Sequence, residues 1–422
     1  MKRNTFKAMA LLMSAFLLAS TSCVKKKLQS PKAEVKQEIT QSEISPLDSV
    51  IRHDFKSANE MAFSLFKQVD KQKRNESFMI SPLSLANALA MLANGADDNT
   101  LKQITDVLGA KDMSVDKICK QYRDLDVYLK SIDKETSFAN ASSIWIDEKF
   151  QVKADFLKRN KEVFKAEVYN RPLATEKTMN EINSWCDKHT NGHIKDMLHD
   201  IPSSDSRMLL MNALYFNGKW TEEFDKGDTK DDYFSNSDGS KSKVKMMHQT
   251  IDLKACIFKK YDMVRFPYGN GDYSMIVLLP HKGENIDVCL KSLSIEQVNV
   301  FDCFLETYLV NVSMPRMELK YEINFNSILK ALGMTDVFSI EKANLSKISD
   351  DLYVSDVRQK TFIKVNEEGT EATAVTEEVL KAKGGDEPQP KILEFNMNRP
   401  FAYLIREKKT GTILFMGKVM KL

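Results

Sequence analysis

The chain has 422 residues, of which 42% are hydrophobic and 28% charged, with a formal net charge of +2. That length and apolar content support one large domain or two ordinary ones, and the near-balanced charge gives no broad basic surface for nucleic acid. Six cysteines over this length do not make a disulfide scaffold. Cys119, Cys186, Cys256, Cys289 and Cys303 lie in apolar or mixed stretches and read as small buried hydrophobes, with one pairing left open.

The first element is a targeting segment. Lys2, Arg3 and Lys7 form a basic start, and residues 8–19 form an apolar run too short for a membrane span. The run closes in Leu18-Ala19-Ser20-Thr21-Ser22-Cys23, which resembles the bacterial lipoprotein signal. In that signal a small residue precedes the cysteine that becomes the lipidated N-terminus. Ser22 fits the small position, and Ser20 stands where a larger aliphatic residue is usual. An ordinary cleaved leader over residues 1–22, with Cys23 incidental, is the other reading. Everything after Cys23 is expected to be exported: lipid-anchored to a bacterial membrane, periplasmic or at the cell surface, or secreted if Cys23 is not lipidated. Residues 23–46 are polar, rich in Lys, Gln, Glu and Ser, and lack the apolar content to fold alone. They read as a flexible tether.

The globular part begins near residue 47. Phe55, Ala58, Ala62, Leu65, Phe66 and Val69 recur at helical spacing. A second helix starts at Ser81-Pro82, with serine at the cap and proline in the first turn, and is expected to end at Gly95. Residues 100–108, closed by Gly109, and residues 118–129 give two more. Residues 137–146, 208–216, 273–279 and 309–314 are rich in β-branched and aromatic residues and read as strands. Residues 156–164 and 179–189 read as helices. Residues 401–405 and 412–419 form a hairpin across Lys408-Lys409-Thr410-Gly411. Helices come early and strands late, without βαβ alternation, which predicts an α+β fold with mixed or antiparallel sheets and one large domain over residues 47–422.

Catalytic chemistry is sparse. There is no Gly-x-Ser-x-Gly elbow, no phosphate-cradling glycine loop and no Cys-x-x-Cys. His189 and His193 are four apart, but Asn191-Gly192 between them breaks the helix a metal pair would need. The sequence therefore predicts neither an enzyme nor a cofactor.

One segment stands out. Glu367-Glu368-Gly369-Thr370-Glu371-Ala372-Thr373-Ala374-Val375-Thr376 follows the apolar run Phe362-Ile363-Lys364-Val365 and precedes the soft stretch 381–390, an exposed loop. Read with a period of two, Thr370, Ala372, Ala374 and Thr376 form a small, compact face, while Glu371, Thr373, Val375 and Glu377 form a mostly polar one. Such a strand can slide between existing strands with its small face in the core. Gly369 supplies the hinge.

The segment resembles the proximal hinge of inhibitory serpins. Ser81-Pro82-Leu83-Ser84 resembles that family's second helix. Asn212-Ala213-Leu214-Tyr215-Phe216-Asn217-Gly218-Lys219-Trp220 resembles the strand that ends in its breach tryptophan. Asn191-Gly192-His193-Ile194-Lys195-Asp196 is similar to the turn after its sheet-covering helix. Arg399-Pro400-Phe401 and Thr410-Gly411-Thr412-Ile413-Leu414-Phe415-Met416-Gly417-Lys418-Val419 match its C-terminal signature. The resemblance implies a large central sheet A with sheets B and C, eight to nine helices and an exposed reactive-centre loop over about 367–398. It implies a monomer that is a suicide substrate of serine proteases, with cysteine proteases as a second class. The protease attacks the loop and forms an acyl-enzyme; the cleaved loop enters sheet A as a new strand and the stalled protease is carried with it. At roughly 1 kcal/mol per hydrogen bond, a strand of about a dozen residues releases on the order of 10 kcal/mol.

Counting from Gly369 places the reactive bond between Lys383 and Gly384, with Lys381, Leu380 and Val379 as alternatives in a slipped register. Lysine bait implies a trypsin-like or Lys-directed target, or a broad-specificity one. Ser81, Ser84 and Asn212 fall at the family's shutter and Trp220 at its breach. Gln359 stands where many members carry a shutter histidine and can still bond to Asn212 and Ser81. Glu378 stands where an apolar residue is usual. A non-inhibitory carrier or binding module on the same fold is the alternative function, and the retained threonine and alanine pattern of the hinge speaks against it.

Overall fold

The computed structural model describes residues 55–134, 136–370 and 391–422, all within the unit Asp48–Leu422. Among these residues there are nine α-helices: α1 (Lys56–Gln72), α2 (Pro82–Ala93), α3 (Asp98–Val107), α4 (Val115–Ser131), α5 (Ala154–Phe164), α6 (Glu176–His189), α7 (Asp287–Ser292), α8 (Ile295–Cys303) and α9 (Asn326–Ala331). The strands are β1 (Phe78–Ile80), β2 (Thr136–Asp147), β3 (Glu167–Arg171), β4 (Met208–Lys219), β5 (Lys230–Ser235), β6 (Lys241–Ile257), β7 (Tyr261–Tyr268), β8 (Tyr273–Pro280), β9 (Glu306–Pro315), β10 (Met317–Asn324), β11 (Asp356–Asn366), β12 (Gly369–Thr370), β13 (Ile392–Asn396), β14 (Phe401–Glu407) and β15 (Ile413–Val419).

Two sheets carry them. The main one, sheet A, runs β10-β11-β12-β4-β2-β3, with β11 also paired directly to β4. The other runs β1-β15-β14-β8-β7-β6-β9-β13, with β5 attached to β6. The two smaller sheets expected beside sheet A are thus hydrogen-bonded into one path, because the long β6 pairs with β5, β7 and β9.

All of α2 is buried, packed against β2, β4 and β15 and against α1, α3, α4 and α5. Its start matches the sequence: Ser81 Oγ accepts from the Ser84 N–H at 3.2 Å, and Pro82 sits in the first turn. Its end also falls where expected, with Asn94 as cap and Gly95 just beyond it, but Gly95 is not in the left-handed conformation of a glycine cap. A Cβ on Gly95 would lie 2.0 Å from Ile348 Cγ1, so this glycine is required by a close packing contact. A second apolar cluster fills the space between sheet A and α6, from Trp145, Ile182, Trp185, Cys186, Met211 and Tyr215.

The cysteines also depart in part from expectation. Cys119, Cys186 and Cys289 are buried, Cys256 is half-buried and Cys303 is exposed at the end of α8; none of the five is in a disulfide.

Candidate functional site: the seam between β4 and β11

Sheet A is closed along its middle by a parallel ladder from Asp356 opposite Leu209 to Phe362 opposite Tyr215. Gln359 and Asn212 face each other in that ladder, above the N-terminus of α2. Gln359 donates from Nε2 to Asn212 Oδ1 at 3.0 Å and to the Ser81 carbonyl at 3.0 Å, and its Oε1 accepts from the Ser81 N–H at 2.8 Å. Asn212 Nδ2 donates to the Ser84 carbonyl at 3.0 Å and to Ser142 Oγ at 2.9 Å, while Ser84 Oγ donates to Asn212 Oδ1. Both N–H bonds of each amide are used. Ser81, Ser84, Asn212 and Gln359 are all buried, and a fully satisfied buried network of this kind fixes one arrangement of its strands.

Beyond Phe362 the direct ladder stops and β12 fills the gap. Strand β11 ends at Asn366, the chain reverses through Glu367 and Glu368, and Gly369 and Thr370 return between the two strands. Gly369 lies opposite Asn366 on one side and Lys219 on the other; Thr370 lies opposite Val365 and Gly218. The Asn366 side chain holds the reversal, its Oδ1 accepting from the N–H groups of Glu368 at 3.1 Å and Gly369 at 3.2 Å. Gly369 has φ +145°, and a Cβ there would stand 2.2 Å from the Gly218 carbonyl oxygen. No other residue fits that position without moving the sheet. The Thr370 side chain points into the core, its hydroxyl 2.7 Å from that of Tyr268, and the residue is fully buried.

The reversal is clamped from outside. Glu367 is bound by Arg316, whose Nε lies 2.7 and 2.9 Å from its two carboxylate oxygens, and Thr229 Oγ1 donates to it. Burial alone would push the Glu367 carboxyl up, but the bonds from Arg316 and Thr229 outweigh it and hold the group below the usual carboxylate range. Lys226 pairs with Glu368. Trp220 stacks on Tyr268 with ring centroids 4.5 Å apart, donates from Nε1 to the Asn366 carbonyl at 3.0 Å, and donates its backbone N–H to the Glu368 carbonyl at 2.9 Å.

The structure therefore brings Ser81, Ser84, Asn212 and Gln359 into one cluster, and Trp220, Glu367, Gly369 and Thr370 into a second, along one seam. Ala372, Ala374, Thr376, Glu378, Val379, Leu380, Lys381, Lys383, Gly384 and Cys23 lie outside the described residues. Reasoning from the sequence missed Arg316, Thr229, Lys226, Tyr268 and Ser142. The adjacent carboxylates Glu367 and Glu368 after an apolar strand demand cations, but nothing in the spacing selects two among 61 lysines and arginines.

A strand entering between β4 and β11 trades one ladder for two. It must part the Gln359–Asn212 bond, and it finds the hairpin turn at Glu367-Glu368 already made.

Comparison with known proteins agrees with this geometry. The family model "Serpin (serine protease inhibitor)" matches residues 56–422. A serine protease inhibitor of Cyanea capillata is 33% identical over 379 residues, covering 86% of this chain and 97% of the relative. The crystal structure of a thermophilic serpin, tengpin, in the native state superposes with a TM-score of 0.78 at 32% identity, over 91% of this chain and 96% of that one. Human thyroxine-binding globulin complexed with thyroxine shares the fold, with a TM-score of 0.79 at 23% identity over 89% and 99% of the two chains. By its fold, its seam and these matches, the chain belongs to the serpin family, whose members are generally protease inhibitors.

Proposed function

We propose that the protein is a suicide-substrate inhibitor of serine proteases, acting as a monomer. It traps its target as a stalled acyl-enzyme after cleavage of the reactive loop and insertion of that loop into sheet A. The observation that carries this reading is the seating of Gly369 and Thr370 between β11 and β4, hydrogen-bonded to both strands. The residues that follow in sequence are small on alternate positions, and the seam below Thr370 is closed by a single ladder. Supporting it, the hinge turn is clamped in the geometry that a fully inserted strand needs, so insertion only has to lengthen β12. The protein is a substrate in this reaction and supplies no catalytic group; the nucleophile is the protease's own.

The bait is Lys383, with Gly384 after the scissile bond, and it suits trypsin-like or Lys-directed proteases; cysteine proteases are a second target class. The leader and Cys23 hold the inhibitor at the cell envelope through an N-terminal lipid.

The test mixes the protein, without residues 1–22, with trypsin, elastase and subtilisin. Trypsin is expected to give an SDS-resistant complex and to release a C-terminal peptide that begins at Gly384 by mass spectrometry. Lys383→Ala should slow trypsin inhibition by at least tenfold. Cleavage without any complex would favour a carrier on the same fold, and a peptide beginning elsewhere would move the bait to Lys381, Leu380 or Val379.

A further inference from the structure

The linker that follows α6 crosses the outer face of sheet A and touches both sides of the seam. Asn191 and Gly192, at φ 50° and 85°, turn the chain off the helix and deliver His193. Its imidazole stacks on Tyr215 of β4, with centroids 4.9 Å apart and planes at 8°, and on Phe362 of β11, at 4.8 Å and 10°. These two rings belong to the last pair of the direct β4–β11 ladder. Farther along, the Asp196 carbonyl accepts from Lys360 Nζ on β11, and His199 Nε2 lies 3.1 Å from Glu322 Oε2 on β10. Ile194, Met197 and Leu198 are buried with Leu209, Met211 and Ala213 of β4. The linker thus straps the β4 side of the sheet to the β10–β11 side.

We propose that His193 is a clasp that closes the seam at the point where the loop must enter, and that it sets the rate of insertion. The inference rests on the insertion reading above and names the residue that regulates it. A strand entering there moves Phe362 away from Tyr215 by one further strand spacing, ~4.8 Å. Stacked rings hold within about 4.5–7 Å, so one imidazole then keeps at most one of its two partners. The register adds a position. Val365 faces Thr370 and Asn366 faces Gly369. Continued down the seam, this pairing would bring Thr373 opposite Phe362, on the outer face that His193 occupies. Insertion can advance by the few residues before Thr373 without disturbing the clasp, and must break it to go on. That is where the direct ladder begins.

The test measures sheet opening without any protease. A synthetic peptide with the sequence of residues 371–383 is incubated with the full chain, and its annealing is followed by native gel and by the gain in thermal midpoint. His193→Ala is expected to anneal about tenfold faster than the parent, equivalent to ~1.4 kcal/mol off the barrier. His193→Phe, which keeps a ring between the same partners, should stay within about threefold of the parent. Phe362→Leu, which removes one ring face from the other side, should also be faster and serves if His193→Ala does not fold. An unchanged rate in both His193→Ala and Phe362→Leu overturns the clasp, as does the absence of annealing in every variant. A parent chain that traps trypsin while the variants anneal no faster sinks the clasp alone. Faster annealing in a protein that forms no protease complex sinks the inhibitor reading alone.

Discussion

The seam of sheet A is held at Gln359 by uncharged amides and hydroxyls sealed from solvent. At the hinge it is held by carboxylates whose cationic partners reach water: the Arg316 side chain is 43% exposed and that of Lys226 62%, against 3% and 10% for Glu367 and Glu368. The first network is built of amides and hydroxyls alone, so its own hydrogen bonds carry no charge. The second keeps one end of the seam open and occupied by β12. On the insertion reading proposed above, the closed stretch is what an entering strand must part and the open end is what admits it in one register.

The largest test of that division is Thr370→Arg. The position is fully buried, and its hydroxyl meets that of Tyr268 at 2.7 Å. A guanidinium in place of that hydroxyl would have to be desolvated in a space packed for a threonine. The hinge should leave the seam, and the protein should become a substrate: loop cleavage by trypsin persists, and SDS-resistant complex falls at least a hundredfold. Inhibition equal to the parent would show that the seat between β11 and β4 is not used.

Next in size is Asn212→Ala, at the closed stretch. It leaves one Gln359 N–H without its acceptor and removes bonds to Ser84 and Ser142. With each buried unsatisfied group costing about 1–3 kcal/mol, the seam should lose about 3 kcal/mol. Hydrogen exchange reads this directly: amides of β11 below Phe362 should exchange roughly a hundredfold faster, while those at Gly369 and Thr370 change little. Equal acceleration at both places would mean that the seam opens as one unit.

The contrast also explains what could be read from the chain alone. The turn at Gly369 was legible because a glycine there follows an apolar strand-like run; the period of two after it lies outside the described residues. The start of α2 was legible because a serine cap followed by proline is a local signal, and the same residues then serve the network at Gln359. The strands β5 and β6 were not. Lys241, Lys243 and Lys245 alternate with half-buried Ser242 and Val244, so this hairpin lacks the apolar face that marks a strand. Gly95 has the position of a helix cap, yet it is a glycine because Ile348, far along the chain, packs where a Cβ would be. The ring of cations around Glu367 and Glu368 was illegible for the same reason: Arg316 and Lys226 are distant in sequence, and a contact set by tertiary packing leaves no spacing to read.

The smallest effect, and the one that separates the two regions most sharply, is their response to acid. Arg316 and Thr229 hold the Glu367 carboxyl below its usual range despite burial. A group depressed in the folded state stabilises it at every pH above the ordinary carboxylate value, and loses that contribution as pH falls through the depressed one. The hinge should therefore hold steadily from neutral pH to about 5 and loosen below about 4. Trp220 reports on it, since its indole donates to the Asn366 carbonyl at the turn. Glu367→Gln keeps the shape of the side chain and removes its charge. It should weaken the hinge by about 1 kcal/mol at neutral pH, the partner being partly solvated, and flatten the acid-side change in Trp220 fluorescence. Asn212→Ala should leave that acid profile as it is in the parent, because Asn212 and the amide and hydroxyl groups it bonds carry no titrating proton. If Asn212→Ala shifts the profile as much as Glu367→Gln does, the charged end and the neutral stretch are one device, and the division drawn between them fails.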